Sequence, residues 1–113
     1  MNIEFIREYC LKKNGVTESF PFGEDVLVFK VINKMFLLTA LSEPYQFSVK
    51  CDPEYAVELR EMYDSIVPGY HLNKKHWNSV NFLELPDDLV LKLIDHSYML
   101  VKQSLTKELR SQL

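Results

Sequence analysis

Glycine, cysteine and tryptophan are scarce in this chain, at three, two and one among 113 residues. The glycines, Gly15, Gly23 and Gly69, stand alone, so the sequence has no glycine-rich loop of the kind that cradles phosphate. Cys10 and Cys51 form no CxxC pair and are too few for a disulfide framework, which makes a reducing, cytoplasmic setting the expectation. Long apolar runs are missing as well. The longest, Met35 to Leu41 with Thr39 inside it, falls far short of the ~20 residues of a spanning helix. Glu4, Arg7 and Glu8 interrupt the start, which argues against a signal peptide or a membrane attachment. There is no internal repeat or block of like charge, and a net charge of −3 lacks the basic excess of many nucleic-acid binders.

What is present is close to the globular average, 47% hydrophobic and 26% charged. A chain of this mass is expected to expose roughly 6,500 Å² when folded and about 19,000 Å² when unfolded. It therefore buries enough surface for one core without a disulfide or structural metal. One domain over residues 1–113, a monomer, is the expectation.

Helical spacing places Phe5, Ile6, Tyr9 and Cys10 on one face of a first helix, with Asn2 as its cap and Asn14-Gly15 as its stop. Phe20-Pro21-Phe22-Gly23 punctuates the chain. Val26 to Val31 and Met35 to Leu41, separated by a short break at Asn33-Lys34, predict a hairpin. Gln46 to Lys50 alternates polar with apolar as a third strand. Asp52-Pro53-Glu54 starts a second helix running to about Tyr63, with Ala56, Leu59, Met62 and Tyr63 as its buried stripe. Val67-Pro68-Gly69 ends it. Trp77 to Leu83 reads as a last strand, and Pro86-Asp87-Asp88 opens a long helix reaching about Ser104. That helix carries an apolar arc of roughly 200°, broad enough to touch both a sheet and another helix. The order α-β-β-β-α-β-α, with room for a short strand near Tyr70, predicts an α+β fold: an antiparallel sheet with helices on one face.

Chemistry concentrates in Tyr70-His71-Leu72-Asn73-Lys74-Lys75-His76-Trp77-Asn78. These nine residues hold two lysines, two histidines, two asparagines and two large aromatics, and no acid. Cations and amide donors suit phosphate; aromatic faces and Asn suit bases and sugars. A solvated loop anchored by Trp77 and Tyr70 accounts for the same letters. A metal site does not: His71 and His76 match no zinc spacing, and the flanking lysines repel a cation. No cofactor is expected. Asp95-His96-Ser97 spells a catalytic triad, but adjacent helical residues point 100° apart and cannot form a relay. The net charge hides an asymmetry. Residues 1–69 hold 7 basic and 11 acidic side chains, and residues 70–113 hold 6 and 5. With a Debye length of about 8 Å, a local basic patch is felt on a mildly acidic protein.

On these segments the chain resembles the MmcQ/YjbR family of small bacterial proteins. The matching pieces are Phe20-Pro21-Phe22-Gly23, Val28-Phe29-Lys30-Val31, Lys34-Met35-Phe36 and Lys50-Cys51-Asp52-Pro53. Most distinctive are Pro68 to Asn78 and Asp95-His96-Ser97-Tyr98. Ile32-Asn33 departs from the glycine-containing turn of the family hairpin. The resemblance implies a fold similar to the CyaY (frataxin-like) arrangement and DNA binding through a double wing of hairpins. Iron binding of the frataxin kind does not carry over, because the first helix offers only Glu4 and Glu8.

Together these readings predict a non-catalytic module for double-stranded DNA. Lys74 and Lys75 would contact phosphate, and His71, Asn73 and Asn78 would donate hydrogen bonds. His76 and Trp77 complete that surface, and Lys34 would serve as the second wing. The alternative is a domain that uses the same segment for an acidic protein or an anionic metabolite. An enzyme would have only His71 and His76 to work with.

Overall fold

The structure, a computed structural model, describes residues 1–113. Helix α1 spans Ile3–Leu11, and Asn2 caps it by accepting the Phe5 N–H at 2.8 Å. Gly15, at φ +75°, turns the chain out of the helix into a conformation that suits glycine. Strand β1, Val16–Ser19, follows directly. The sequence pattern did not point to it, because an edge strand reading Val-Thr-Glu-Ser has a single apolar residue. Its inward residue Glu18 is taken up by Arg7 of α1, with Nη2 to Oε1 at 2.6 Å. An inward charge is also one way to keep a sheet edge from pairing with other chains.

Strands β2, Val26–Val31, and β3, Lys34–Ala40, form the expected hairpin. Ile32 (φ 43°) and Asn33 (φ 68°) make a two-residue turn with both residues left-handed, the twist that suits a tight hairpin. Glycine is thus absent from this turn, and its geometry is kept. A register shift at Phe29/Lys30 makes both Phe36 and Leu37 core residues. Strand β4 is Phe47–Lys50 and helix α2 is Pro53–Met62, capped by Asp52. Strand β5, Ile66–Pro68, occupies residues that read as a helix stop. Strand β6, Trp77–Val80, is shorter than the expected Trp77–Leu83, because Asn81 caps a 3-10 turn at Phe82–Glu84. Helix α3 runs Asp87–Ser104, and a short helix α4, Lys107–Arg110, ends the chain.

All strand pairs are antiparallel, and the sheet order is β1-β2-β3-β4-β6-β5. The two additional strands lie at its two edges. Helix α3 lies across β2, β3 and β4; α1 packs on β1 and α2 on β5. Val90, Leu93, Ile94 and Val101 of α3 close a core with Ile6, Phe29, Phe36, Phe47, Ala56 and Phe82. On α2 the stripe is narrower than the spacing predicted: Ala56 and Leu59 are buried, but Met62 is 69% exposed. The folded chain exposes 6712 Å², near the value expected from its mass. No helix is long and apolar enough to cross a membrane.

Candidate functional site on the open face of the sheet

Period-two alternation decides what the opposite face carries. Leu27, Phe29 and Val31 of β2 enter the core, as do Val49 and Cys51 around Lys50. Val26, Val28 and Lys30 therefore face away from the helices, with Leu38 and Ala40 of β3 paired to Val28 and Val26. Ser48 and Lys50 of β4 and Trp77 and Ser79 of β6 share that face, through Ser48↔Ser79 and Lys50↔Trp77. Lys30, Met35, Lys50 and Trp77 come from adjacent strands toward one end of the sheet, the end that bears the 70–76 loop.

That loop folds back over the open face. Ser79 Oγ accepts the Tyr70 N–H at 3.0 Å and is 2.8 Å from Ser48 Oγ, so two outward serines fasten the loop to the sheet. Gly69 N–H donates to the Trp77 carbonyl at 2.8 Å, which closes the base of the loop. His71 has φ 58°, a left-handed conformation unusual for a side chain with a Cβ, and its ring lies 4.0 Å from that of Tyr70. Together these place Tyr70, His71 and Leu72 as one wall of a cleft of about 320 Å³. Phe22, from the β1–β2 connection, is the other wall; Val26, Leu38, Ala40 and Ser48 form the floor, with Gln46 at the side. Phe22 and Tyr70 are 62% and 66% exposed, and the Gln46 side chain makes no internal hydrogen bond.

The predicted segment thus divides. Tyr70 and His71 line the cleft. Asn73 is occupied within the loop: Oδ1 accepts the Lys75 N–H at 2.9 Å and the His76 N–H at 3.3 Å. Lys74 Nζ donates to the Gly69 carbonyl at 3.2 Å, while its own carbonyl accepts from Arg60 Nη2 at 3.2 Å. Asn78 does not reach the surface. It is 1% exposed beneath α2, where Nδ2 donates to the Ala56 carbonyl at 3.3 Å and Oδ1 has no partner. Lys75 is exposed, His76 and Trp77 half-buried. Lys74 and Lys75 border a shallow depression on α2 together with Arg60, where Glu54 and Glu58 offset part of their field. Lys34 lies at the hairpin tip, 3.4 Å from the Ser104 carbonyl at the end of α3.

Lys30 and Lys50 are the cations that the sequence reading passed over. A lysine inside an alternating strand looks like ordinary solvated polarity, and only the sheet register shows both on one face, Lys50 directly opposite Trp77 and Lys30 two strands further along. The ion pairs of the molecule are Met1–Asp87, Arg7–Glu18 and Lys13–Asp95, so neither lysine is neutralised by a carboxylate.

The Asp95–Tyr98 segment is spent on structure. Asp95 accepts from Tyr9 Oη at 2.8 Å and from Lys13 Nζ at 2.5 Å. His96 Nε2 accepts the Asp52 N–H, Ser97 Oγ bridges β3 and β4, and Tyr98 Oη donates to the Asn14 carbonyl at 2.7 Å. Four successive side chains hold four different parts of the fold. Burial and the Asp95 hydrogen bond push the Tyr9 phenol to about 12, and burial lowers His96 below 6.5.

A six-stranded antiparallel sheet, covered by helices on one face and bearing a loop-walled cleft on the other, makes this an α+β protein with one open sheet face. The chain belongs to the YjbR family: the family model YjbR matches residues 11–100. It is 40% identical over 106 residues to the Escherichia coli O157:H7 protein YbdF, covering 92% of this chain and 87% of that one. It is 32% identical to YjbR of Escherichia coli K12, covering 100% and 98%. The crystal structure of the Deinococcus radiodurans protein DR2400 superposes with a TM-score of 0.90 at 40% identity, over 98% of this chain and 86% of that one. A Pseudomonas syringae protein gives 0.75 at 26% identity, over 88% and 98%.

Proposed function

We propose that this chain is a non-catalytic nucleic-acid-binding module, and that its contact surface is the open face of the sheet rather than the 70–78 loop alone. The observation that carries this reading is Lys50 directly across from Trp77, with Lys30 two strands away on the same face and no carboxylate paired to either lysine. Unneutralised lysines attract phosphate and release its counterions, and an aromatic face beside them suits a base or sugar. Lys34 and Lys75 lie off this face: Lys34, opposite the inward Val31, donates to the Ser104 carbonyl of α3, and Lys75 borders the depression on α2. Asn73 through Oδ1 and Lys74 through Nζ shape the loop, and Asn78 is buried beneath α2. The non-catalytic part rests on Asp95, His96 and Ser97, whose side chains diverge to separate partners.

Titration of a fluorescent oligonucleotide at two salt concentrations tests the proposal. For about three phosphate contacts on a single strand, log K against log salt should slope at about −2, with Kd in the 10⁻⁴–10⁻⁶ M range near physiological salt. Lys30→Ala plus Lys50→Ala should flatten that slope by about 1. Loss of slope on Lys74→Ala plus Lys75→Ala, with the sheet lysines inert, would return the interface to the loop. No binding at low salt would end the proposal.

A further inference from the structure

We infer that the cleft between Phe22 and Tyr70–His71 holds an unpaired nucleobase of a single strand whose phosphates run over Lys30 and Lys50. This rests on the nucleic-acid reading and specifies which nucleic acid and which atoms. Three features of the cleft lead to it. Its walls are two strongly exposed aromatic side chains, Phe22 and Tyr70, facing one apolar floor of Val26, Leu38 and Ala40. Together with that floor they make a contiguous apolar patch, the kind that marks an interaction site, and flat π-faces accept any base by stacking. The cleft, at about 320 Å³, falls at the small end of ligand-site volumes, suited to one planar group.

Its polar groups suit a base edge. The Gln46 amide, with no partner inside the protein, offers a donor and an acceptor together, the pairing that reads the edge of adenine. His71 adds a second group that can donate or accept. Charge complementarity supplies the strand. Lys50 is two residues along β4 from Ser48 on the cleft floor, and Lys30 is four along β2 from Val26, the floor residue of that strand. At about 3.4 Å per residue, Lys50 stands roughly 7 Å from the floor, a spacing that a nucleotide's sugar can bridge from base to phosphate, and Lys30 roughly 14 Å away, toward the next phosphate of the strand. A base seated on the floor between Phe22 and Tyr70 must leave its pairing partner, so a duplex would have to open to fill the cleft. The left-handed backbone at His71 aims the loop over the face, and such conformations gather at ligand sites.

The test compares a single-stranded oligonucleotide with its duplex, against the whole chain and its Phe22→Ala, Tyr70→Ala and Gln46→Ala variants. All three positions are surface ones, so the fold should survive, which circular dichroism and melting would verify. The single strand should bind more tightly than the duplex. Phe22→Ala and Tyr70→Ala should each weaken it by about 5- to 150-fold with the salt slope unchanged, because stacking releases no counterion. Gln46→Ala should reduce discrimination between oligo-dA and oligo-dT. Equal binding of duplex and single strand, or no loss in the aromatic variants, overturns the base cleft. If affinity then still depends on Lys30 and Lys50, the broader reading stands. If no oligonucleotide binds, both fail.

Discussion

Ser97 Oγ donates to the Phe36 carbonyl at 2.5 Å and accepts the Lys50 N–H at 2.9 Å. A helix side chain here stands in for a rung of the β3–β4 ladder, next to the register shift that turns both Phe36 and Leu37 into the core. Ser97 is fully buried, so water cannot replace it. Ser97→Ala should leave two backbone groups unsatisfied at about 1–3 kcal/mol each, a loss of roughly 2–6 kcal/mol in denaturant unfolding. A loss well under 1 kcal/mol would show that the two strands close the gap themselves.

His96 Nε2 accepts the Asp52 N–H at 3.1 Å, a bond that needs the ring neutral. Burial lowers its pKa from 6.5; Lys92 works in the same direction and Asp52 against it. The unfolded chain then binds the proton more readily than the folded one, so stability rises with pH. His96 contributes fully above about pH 6.5 and loses that contribution as pH falls toward its folded pKa. Melting temperatures at several pH values should show a decline below pH ~6.5 that is weaker in His96→Gln, whose side-chain oxygen can accept the same N–H. Parallel pH profiles for the two proteins would remove His96 as the cause.

Cys10 and Cys51 are free and buried, and burial pushes their thiols to about 12 and about 11. The thiolate is the reactive form, so neither should react with a chromogenic disulfide near neutral pH in the folded protein. Both should react at once in denaturant. Rapid labelling of either in the native state would contradict the burial.

Gly69 has no space for a side chain: a Cβ there would lie 2.6 Å from Trp77 Cβ and 3.0 Å from its carbonyl oxygen. Gly69→Ala should destabilise by about 1–3 kcal/mol through overpacking. By pushing β5 from β6 it should also open the cleft wall and weaken oligonucleotide binding. A variant with native stability would show that the strands separate freely.

Much of the architecture was legible in the sequence because it follows from local rules. Asn2 and Asp52 cap the helices that their positions predict, and the 3.6-residue arc of α3 is buried against the sheet. Strands β1 and β5 were less legible. Both are short edge strands whose polar or proline content suits a sheet margin and resembles a loop. The turn at Ile32-Asn33 shows the opposite case: an unfavourable local residue is held left-handed by the pairing on either side.

The sequence by itself determined the helices and the central strands, the family and the density of functional side chains at Tyr70 to Asn78, since each is a property of neighbouring letters. Tertiary structure decided which of those side chains are available. Asn78 went under α2, Asn73 and Lys74 into the loop's own hydrogen bonds, and Tyr70 and His71 over the open sheet. It also brought in Lys30, Lys50 and Phe22, which lie 20 or more positions from that segment. Strand register sets which residues share a face, and register belongs to the pairing of distant strands rather than to any one stretch of chain.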